Sequence, residues 1–315
     1  MFNLATLTII VPCFNEEEML SISIPKFLLI LEDLICKKLI DDNSKLMFID
    51  DGSEDKTWEI ILNYHQDNFK VKGIKLSRNF GHQNDLLAGL MKVDTDIAIS
   101  IDADLQDDPS VIYKMIEQYY EGSQIVFGVR NDRSTDSWAK KFFAQSYYKV
   151  LRKMGVDIIE DHADFRLMSK KALNTLGDFK EVNLFLRGVI PILGYKTSKV
   201  YYARLERTAG ETKYNLKKMI ELALNGVTSF SVIPLMLIVW IGVFISIISG
   251  VMGLWALITK FFIGGTVHGW ASIVVPMYFL GGIQLLTLGI IGIYISKVYL
   301  EVKSRPKFIL EDEIK

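Results

Sequence analysis

From Thr6 to about Val129 the chain repeats one rhythm: a short apolar run, a polar turn, then an amphipathic stretch. The apolar runs at 7–11, 45–50, 71–76, 96–101 and 124–129 predict strands. The stretches 16–34, 56–67, 81–91 and 109–121 carry helical periodicity and predict helices. Such alternation predicts an α/β fold, a doubly wound and mostly parallel sheet with helices on both faces. Ligands of these sheets bind beyond the carboxyl ends of the strands. Residues 130–210 are less regular and are read as the second half of the same domain.

The pattern changes after Lys213. No Asp, Glu, Lys or Arg occurs from Leu222 to Thr259 or from Phe261 to Ser296. Each stretch exceeds the roughly 20 apolar residues needed to cross a bilayer, which predicts two spans near 231–258 and 271–297. A buried helical hairpin is the alternative. Residues 211–230 are read as an amphipathic helix on the membrane surface or as a linker helix, and 299–315 as a tail. Lys213, Lys217 and Lys218 precede the first span, and Lys297, Lys303, Arg305 and Lys307 follow the second. Only Lys260 and His268 lie between them, so the positive-inside rule places both ends and the 1–210 domain in the cytoplasm. The amino terminus lacks a basic lead and its apolar run stops at Pro12, so no cleavable signal is expected.

Composition narrows the partners. A formal net charge of −1 gives no basic excess for nucleic acid. Cys13 and Cys36 are too few for a disulfide framework. The strand ends carry the chemistry: Pro12, Asn15 and Glu16 after the first, Asp50, Asp51, Gly52 and Ser53 after the second, Ser77, Arg78 and Asn79 after the third. The fourth ends in Asp102-Ala103-Asp104-Leu105-Gln106-Asp107-Asp108. Carboxylates with an amide oxygen are hard ligands suited to Mg²⁺ or Mn²⁺. A solvated acidic loop capping the next helix at Asp108-Pro109 is the competing reading, and a helix-capping turn is the competing reading of Asp50–Thr57. No Gly-x-Gly-x-x-Gly or P-loop motif is present, so phosphates must be held by metal and by cations such as Arg78, Arg130, Arg133, Arg166, Arg187, Arg207 and Lys213. A sugar nucleotide fits this inventory.

Val11-Pro12-Cys13-Phe14-Asn15-Glu16, Asp50-Asp51-Gly52-Ser53 and Asp102-x-Asp104-x-Gln106-Asp107 resemble the family 2 glycosyltransferases of GT-A fold. Ser77-Arg78-Asn79-Phe80-Gly81, Asp164-Phe165-Arg166-Leu167 and Arg207-x-x-Gly210-Glu211-x-Lys213-Tyr214 extend the match. With two carboxy-terminal spans, the order is similar to the bacterial polyprenyl-phosphate glycosyltransferases of the bactoprenol glucosyltransferase type, with dolichyl-phosphate mannose synthases more distant. The resemblance implies that Pro12, Asn15, Glu16, Asp50 and Asp51 surround the nucleoside, with Arg78, Asp102 and Arg130 also on the donor. It implies that Asp102, Asp104 and Gln106 hold Mg²⁺ or Mn²⁺ with the diphosphate. Arg130, Arg166, Arg207 and Lys213 would bind the lipid phosphate, and Asp164, Asp104, Arg207 and Lys213 would form the catalytic set. Asp107-Asp108-Pro109 stands where the family has Asp-Pro-Pro.

The implied reaction moves one sugar, glucose from UDP-glucose as first choice, to undecaprenyl phosphate with inversion, at the inner membrane of a bacterium. UDP-N-acetylglucosamine, UDP-galactose and GDP-mannose are the alternative donors, and O-antigen, teichoic acid or another surface glycan the pathway served. The resemblance also implies a tetramer. A processive polysaccharide synthase is disfavoured because the chain has no Gln-x-x-Arg-Trp motif. A non-catalytic nucleotide-binding scaffold is the reading from another class. His82 and His162 show no zinc-site spacing and are read as structural or surface residues.

Overall fold

The computed structural model describes residues 4–131, 162–181, 186–203, 233–258 and 270–314. In chain order the elements are β1 (Leu7–Cys13), α1 (Glu17–Cys36), β2 (Lys45–Asp50), α2 (Thr57–Asp67), β3 (Val71–Leu76), α3 (His82–Met91), β4 (Ile97–Ser100), α4 (Val111–Tyr120) and β5 (Ile125–Arg130). Then follow β6 (His162–Ser169), α5 (Lys170–Gly177), α6 (Leu186–Ile192), β7 (Thr197–Tyr202), α7 (Ile233–Ile258), α8 (Trp270–Lys303) and β8 (Leu310–Ile314). The expected α/β rhythm holds through β5, with boundaries moved by no more than two residues.

One eight-stranded sheet runs in the order β7-β5-β6-β4-β1-β2-β3-β8. Strands β4, β1, β2 and β3 are mutually parallel. All of β1 and β4 is buried, as expected of strands covered on both faces. Side chains alternate across the sheet. Ile9, Val11, Leu46 and Phe48 pack with α1, α2 and α4, whereas Ile10, Met47 and Ile49 pack with α3, α5 and α6. The chain leaves β1 toward β2 on one side and returns to β4 on the other. That reversal opens the crevice where doubly wound sheets bind ligands.

Three strands depart from the simple rhythm. Strand β6 is antiparallel to both β4 and β5, and β7 runs parallel beside β5. The segment expected as a tail instead continues α8 to Lys303 and then forms β8, antiparallel to β3. Ion pairs Lys75–Glu311 at 3.3 Å and Lys92–Glu313 at 2.8 Å fasten it.

Helices α7 and α8 occupy the two apolar stretches and expose apolar side chains, including Trp240, Phe244, Trp255, Phe279 and Leu285. Among the described residues, Phe279–Lys303 is the stretch long and apolar enough to cross a membrane. The expected helix at 211–230 lies outside the described residues.

Candidate active site

The first two strand ends are laced together before any ligand is considered. Asn15 adopts a left-handed φ of 53°; its backbone N–H donates to Ser53 Oγ at 2.9 Å and its side-chain oxygen accepts from Glu54 N at 3.0 Å. Glu16 N donates to Thr57 Oγ1, also at 2.9 Å. Pro12 is buried in β1, where it pairs with Ile49. Asp50 is fully buried: Oδ1 accepts from Ser53 N, while Oδ2 has no hydrogen-bond partner. Burial pushes its carboxyl up, against the Ser53 hydrogen bonds.

Asp51 has a different task from the one its position suggests. Its carboxylate accepts from Phe80 N at 2.7 Å and Gly81 N at 2.9 Å, fixing the turn into α3. Gly52, at φ +67°, lets this loop pass the Arg78 backbone. Arg78 is exposed, its guanidinium 4.3 Å from the centre of the Phe80 ring.

After β4 the chain alternates in burial: Ile101, Ala103, Leu105 and Asp107 are buried, while Asp102, Asp104, Gln106 and Asp108 are partly exposed. This separates the expected ligands from the rest of the acidic run. The turn is set by Leu105 at φ 56° and by Asp104 Oδ1, which accepts from Gln106 N at 3.1 Å. Asp108 caps the approach to α4, accepting from Ser110 N at 2.9 Å. Asp102 is pushed up to about 6 by burial, with the charges of Asp164, Asp107 and Asp104 adding to it and His82 opposing.

Two carboxylates and an amide do not make a closed metal cage, and no group of three His, Cys, Asp or Glu side chains among the described residues could do so. The donor set fits Mg²⁺ or Mn²⁺, which keep waters and share substrate phosphates rather than sit in all-protein cages.

The antiparallel pairing of β6 with β4 supplies what the strand ends alone do not. Ser100 pairs with Arg166, so two residues further along each strand bring Asp164 beside Asp102. His82, the first residue of α3, bridges them, with Nε2 3.7 Å from Asp102 Oδ1 and 3.4 Å from Asp164 Oδ2. Burial alone would lower the imidazole, but its hydrogen bond to Asp164 and the charges of Asp102 and Asp164 raise it to about 9. Reading His82 as merely structural or surface is therefore corrected: it stands between the two carboxylates. Its place at the start of α3, on the same edge as the other strand ends, was the available signal.

Asp164 is clamped by two guanidiniums. Arg187 Nη2 lies 2.8 Å from Oδ2 and Nε 3.3 Å from Oδ1, while Arg166 Nη2 also donates to Oδ1. Burial would raise Asp164, yet Arg187 and then Arg166 hold it well below the usual carboxylate range. Arg166 is 0% exposed. Its assignment to the lipid phosphate is corrected, because a head group cannot reach a guanidinium enclosed behind Asp164. Arg130 Nη2, likewise, lies 2.8 Å from Asp107. Arg133, Arg207, Lys213 and the side chain of His162 lie outside the described residues.

Residues 8–177 match the family model described as glycosyl transferase family 2. The uncharacterized glycosyltransferase YkoT of Bacillus subtilis is 48% identical over 98% of this chain and 92% of its own length. The SfII prophage-derived bactoprenol glucosyl transferase of Shigella flexneri is 39% identical, covering 97% of both chains. Glucosyl-3-phosphoglycerate synthase from Mycobacterium tuberculosis, solved with Mn²⁺, UDP and phosphoglyceric acid, overlaps loosely at a TM-score of 0.47 and 17% identity over 71% of this chain and 76% of that one. The family match over more than half of the chain and the near-full-length relatives agree: this protein is a glycosyltransferase and belongs to glycosyl transferase family 2.

Proposed function

We propose that this glycosyltransferase moves one glucose from UDP-glucose to undecaprenyl phosphate at the cytoplasmic face of a bacterial inner membrane. The observation that carries the acceptor class is the 39% identity, over 97% of both chains, to a bactoprenol glucosyl transferase. Asp50 would shape the nucleoside pocket from beneath, by holding the turn at Ser53. Asp102, Asp104 and Gln106 would hold Mg²⁺ or Mn²⁺, which as a Lewis acid neutralises the diphosphate and assists its departure.

The chemistry suits the clamped carboxylate. A phosphomonoester has its second pKa near about 6, so the lipid phosphate is mostly dianionic at neutral pH and needs no strong base. Its oxygen attacks the anomeric carbon with inversion, and the bond from that carbon to the donor diphosphate breaks, the diphosphate oxygen leaving with the electron pair. Asp164, held ionised by Arg187 and Arg166, orients sugar or acceptor rather than removing a proton. Arg207 and Lys213 would offset the repulsion between the two phosphates.

Sheet connectivity supports the membrane arrangement. Strand β7 precedes helices α7 and α8, β8 follows them, and both belong to one sheet. Any membrane crossings between them must therefore be even in number. If α8 crosses, a second crossing must precede it, and α7 is the apolar helix available. The lysines flanking the pair favour a cytoplasmic domain.

The test is transfer of radiolabelled glucose from UDP-glucose to undecaprenyl phosphate by the full chain in detergent, with UDP-N-acetylglucosamine, UDP-galactose and GDP-mannose in parallel. Lipid-linked glucose as the dominant product is expected. Faster transfer from another donor would overturn the choice of sugar, and no lipid-linked product from any donor would overturn the acceptor.

A further inference from the structure

We propose that Asp107, Arg130 and Tyr202 form a positioning latch that holds the Asp102–Gln106 loop in shape for a nucleoside diphosphate and a divalent cation; this rests on the donor-binding reading above. Asp107 is 1% exposed, the last buried position of the alternating run. Its Oδ1 accepts from Arg130 Nε at 2.9 Å and Nη2 at 2.8 Å, and from Tyr202 Oη at 2.6 Å. Arg130 and Tyr202 are the last residues of β5 and β7 and stand opposite one another in the parallel register. Asn131 N donates to Tyr202 O at 2.7 Å, so the two strand ends are themselves tied.

The loop needs such an anchor. It gathers Asp102, Asp104 and Asp107 within six residues and turns through a leucine in left-handed conformation, so charge repulsion and backbone strain both favour opening it. Charge-assisted hydrogen bonds from a guanidinium are the stronger kind. They fix Asp107 and cancel its charge, leaving Asp102 and Asp104 to face a cation. The Tyr202 ring is held edge-on to Phe165, 5.6 Å between centres, which orients its hydroxyl and ties the latch to the strand bearing Asp164. None of the three residues has to touch the reacting atoms; they act through Asp102, Asp104 and Gln106.

The full chain in detergent, with Tyr202→Phe and Asp107→Asn, tests this by calorimetric binding of UDP in the presence of Mn²⁺, by the Mn²⁺ dependence of transfer, and by thermal melting. Tyr202→Phe keeps the ring and removes one donor. It should weaken UDP–Mn²⁺ binding by about 10-fold, and Asp107→Asn by up to about 100-fold, as for other residues that orient metal ligands. Tyr202→Phe should melt lower but stay folded at the assay temperature, and the KM for undecaprenyl phosphate should stay at its wild-type value. Unchanged UDP and Mn²⁺ dependence in folded Tyr202→Phe would overturn the latch, as would a change confined to the lipid KM. If Asp107→Asn does not fold, Tyr202→Phe alone decides. Wild-type protein that binds no UDP with Mn²⁺ would instead overturn the donor-site reading beneath it.

Discussion

Arg187 holds Asp164 through both of its oxygens, at 2.8 and 3.3 Å, while the buried Arg166 closes on it from within the sheet. This is an unusual setting for a general base, because a carboxylate kept far below its ordinary pKa has little affinity for a proton. It suits a residue that supplies fixed negative charge and orientation beside the metal-binding loop.

Removing the more accessible guanidinium should show this. In the wild type, Asp164 stays ionised throughout the working range, since its pKa lies below the ordinary value of about 3.9. Arg187→Met should raise that pKa and move the acid limb of the kcat profile to higher pH. Asp164→Asn should lower kcat by about 100-fold, at the low end of effects for positioned acid–base side chains, while UDP binding persists. An Arg187→Met profile superimposable on wild type would show that the clamp does not govern Asp164.

Chelation bears on the other half of the site. EDTA should abolish transfer, and Mn²⁺ or Mg²⁺ should restore it. Asp104→Asn should raise the metal concentration needed for half-maximal rate by about 10-fold or more. Equal product with and without EDTA would remove the metal from the mechanism.

His82 predicts a pH-dependent stability. Its folded pKa of about 9 lies above the ordinary 6.5. The contribution is therefore complete below about 6.5 and is lost as pH rises through 9. Without metal or donor, wild-type melting temperature should fall across that window, and His82→Gln should show a flatter dependence. Parallel curves would mean that the bridge to Asp102 and Asp164 adds nothing to folding.

Gly52 predicts a backbone effect on the donor site. A Cβ there would meet the Arg78 carbonyl carbon at 2.5 Å and Cα at 2.6 Å, in a conformation that L side chains rarely adopt. Gly52→Ala should cost about 1–3 kcal/mol of stability and raise the KM for the nucleotide sugar. Chemical denaturation and steady-state kinetics measure the two effects separately.

The parallel half of the fold was legible because β1, β2 and β4 are almost wholly buried and read as mostly apolar runs, with β3 broken only by Lys72 and Lys75. The alternation Asp102, Asp104, Gln106 was legible because small or apolar residues, Ala103 and Leu105, separate the polar ones and are buried. The neighbours of Asp164 were not, since they depend on β6 entering antiparallel between β4 and β5, a pairing that no local pattern encodes. Arg166 shows the limit most clearly. An arginine two residues from an aspartate looked like a phosphate ligand, but strand alternation turns it inward onto that same aspartate. Tyr202 lies in the less regular stretch 130–210, where no local pattern places its hydroxyl on Asp107, 95 positions away.

Strand β8 also orders the protein's assembly in time. Its residues leave the ribosome after both long apolar helices, so the outer edge of β3 stays unpaired while those helices are made. An open edge of this kind is a site for unwanted pairing. Pairing with Leu310–Ile314 closes it, so the outer edge of the sheet is covered only once the residues beyond both helices have been made.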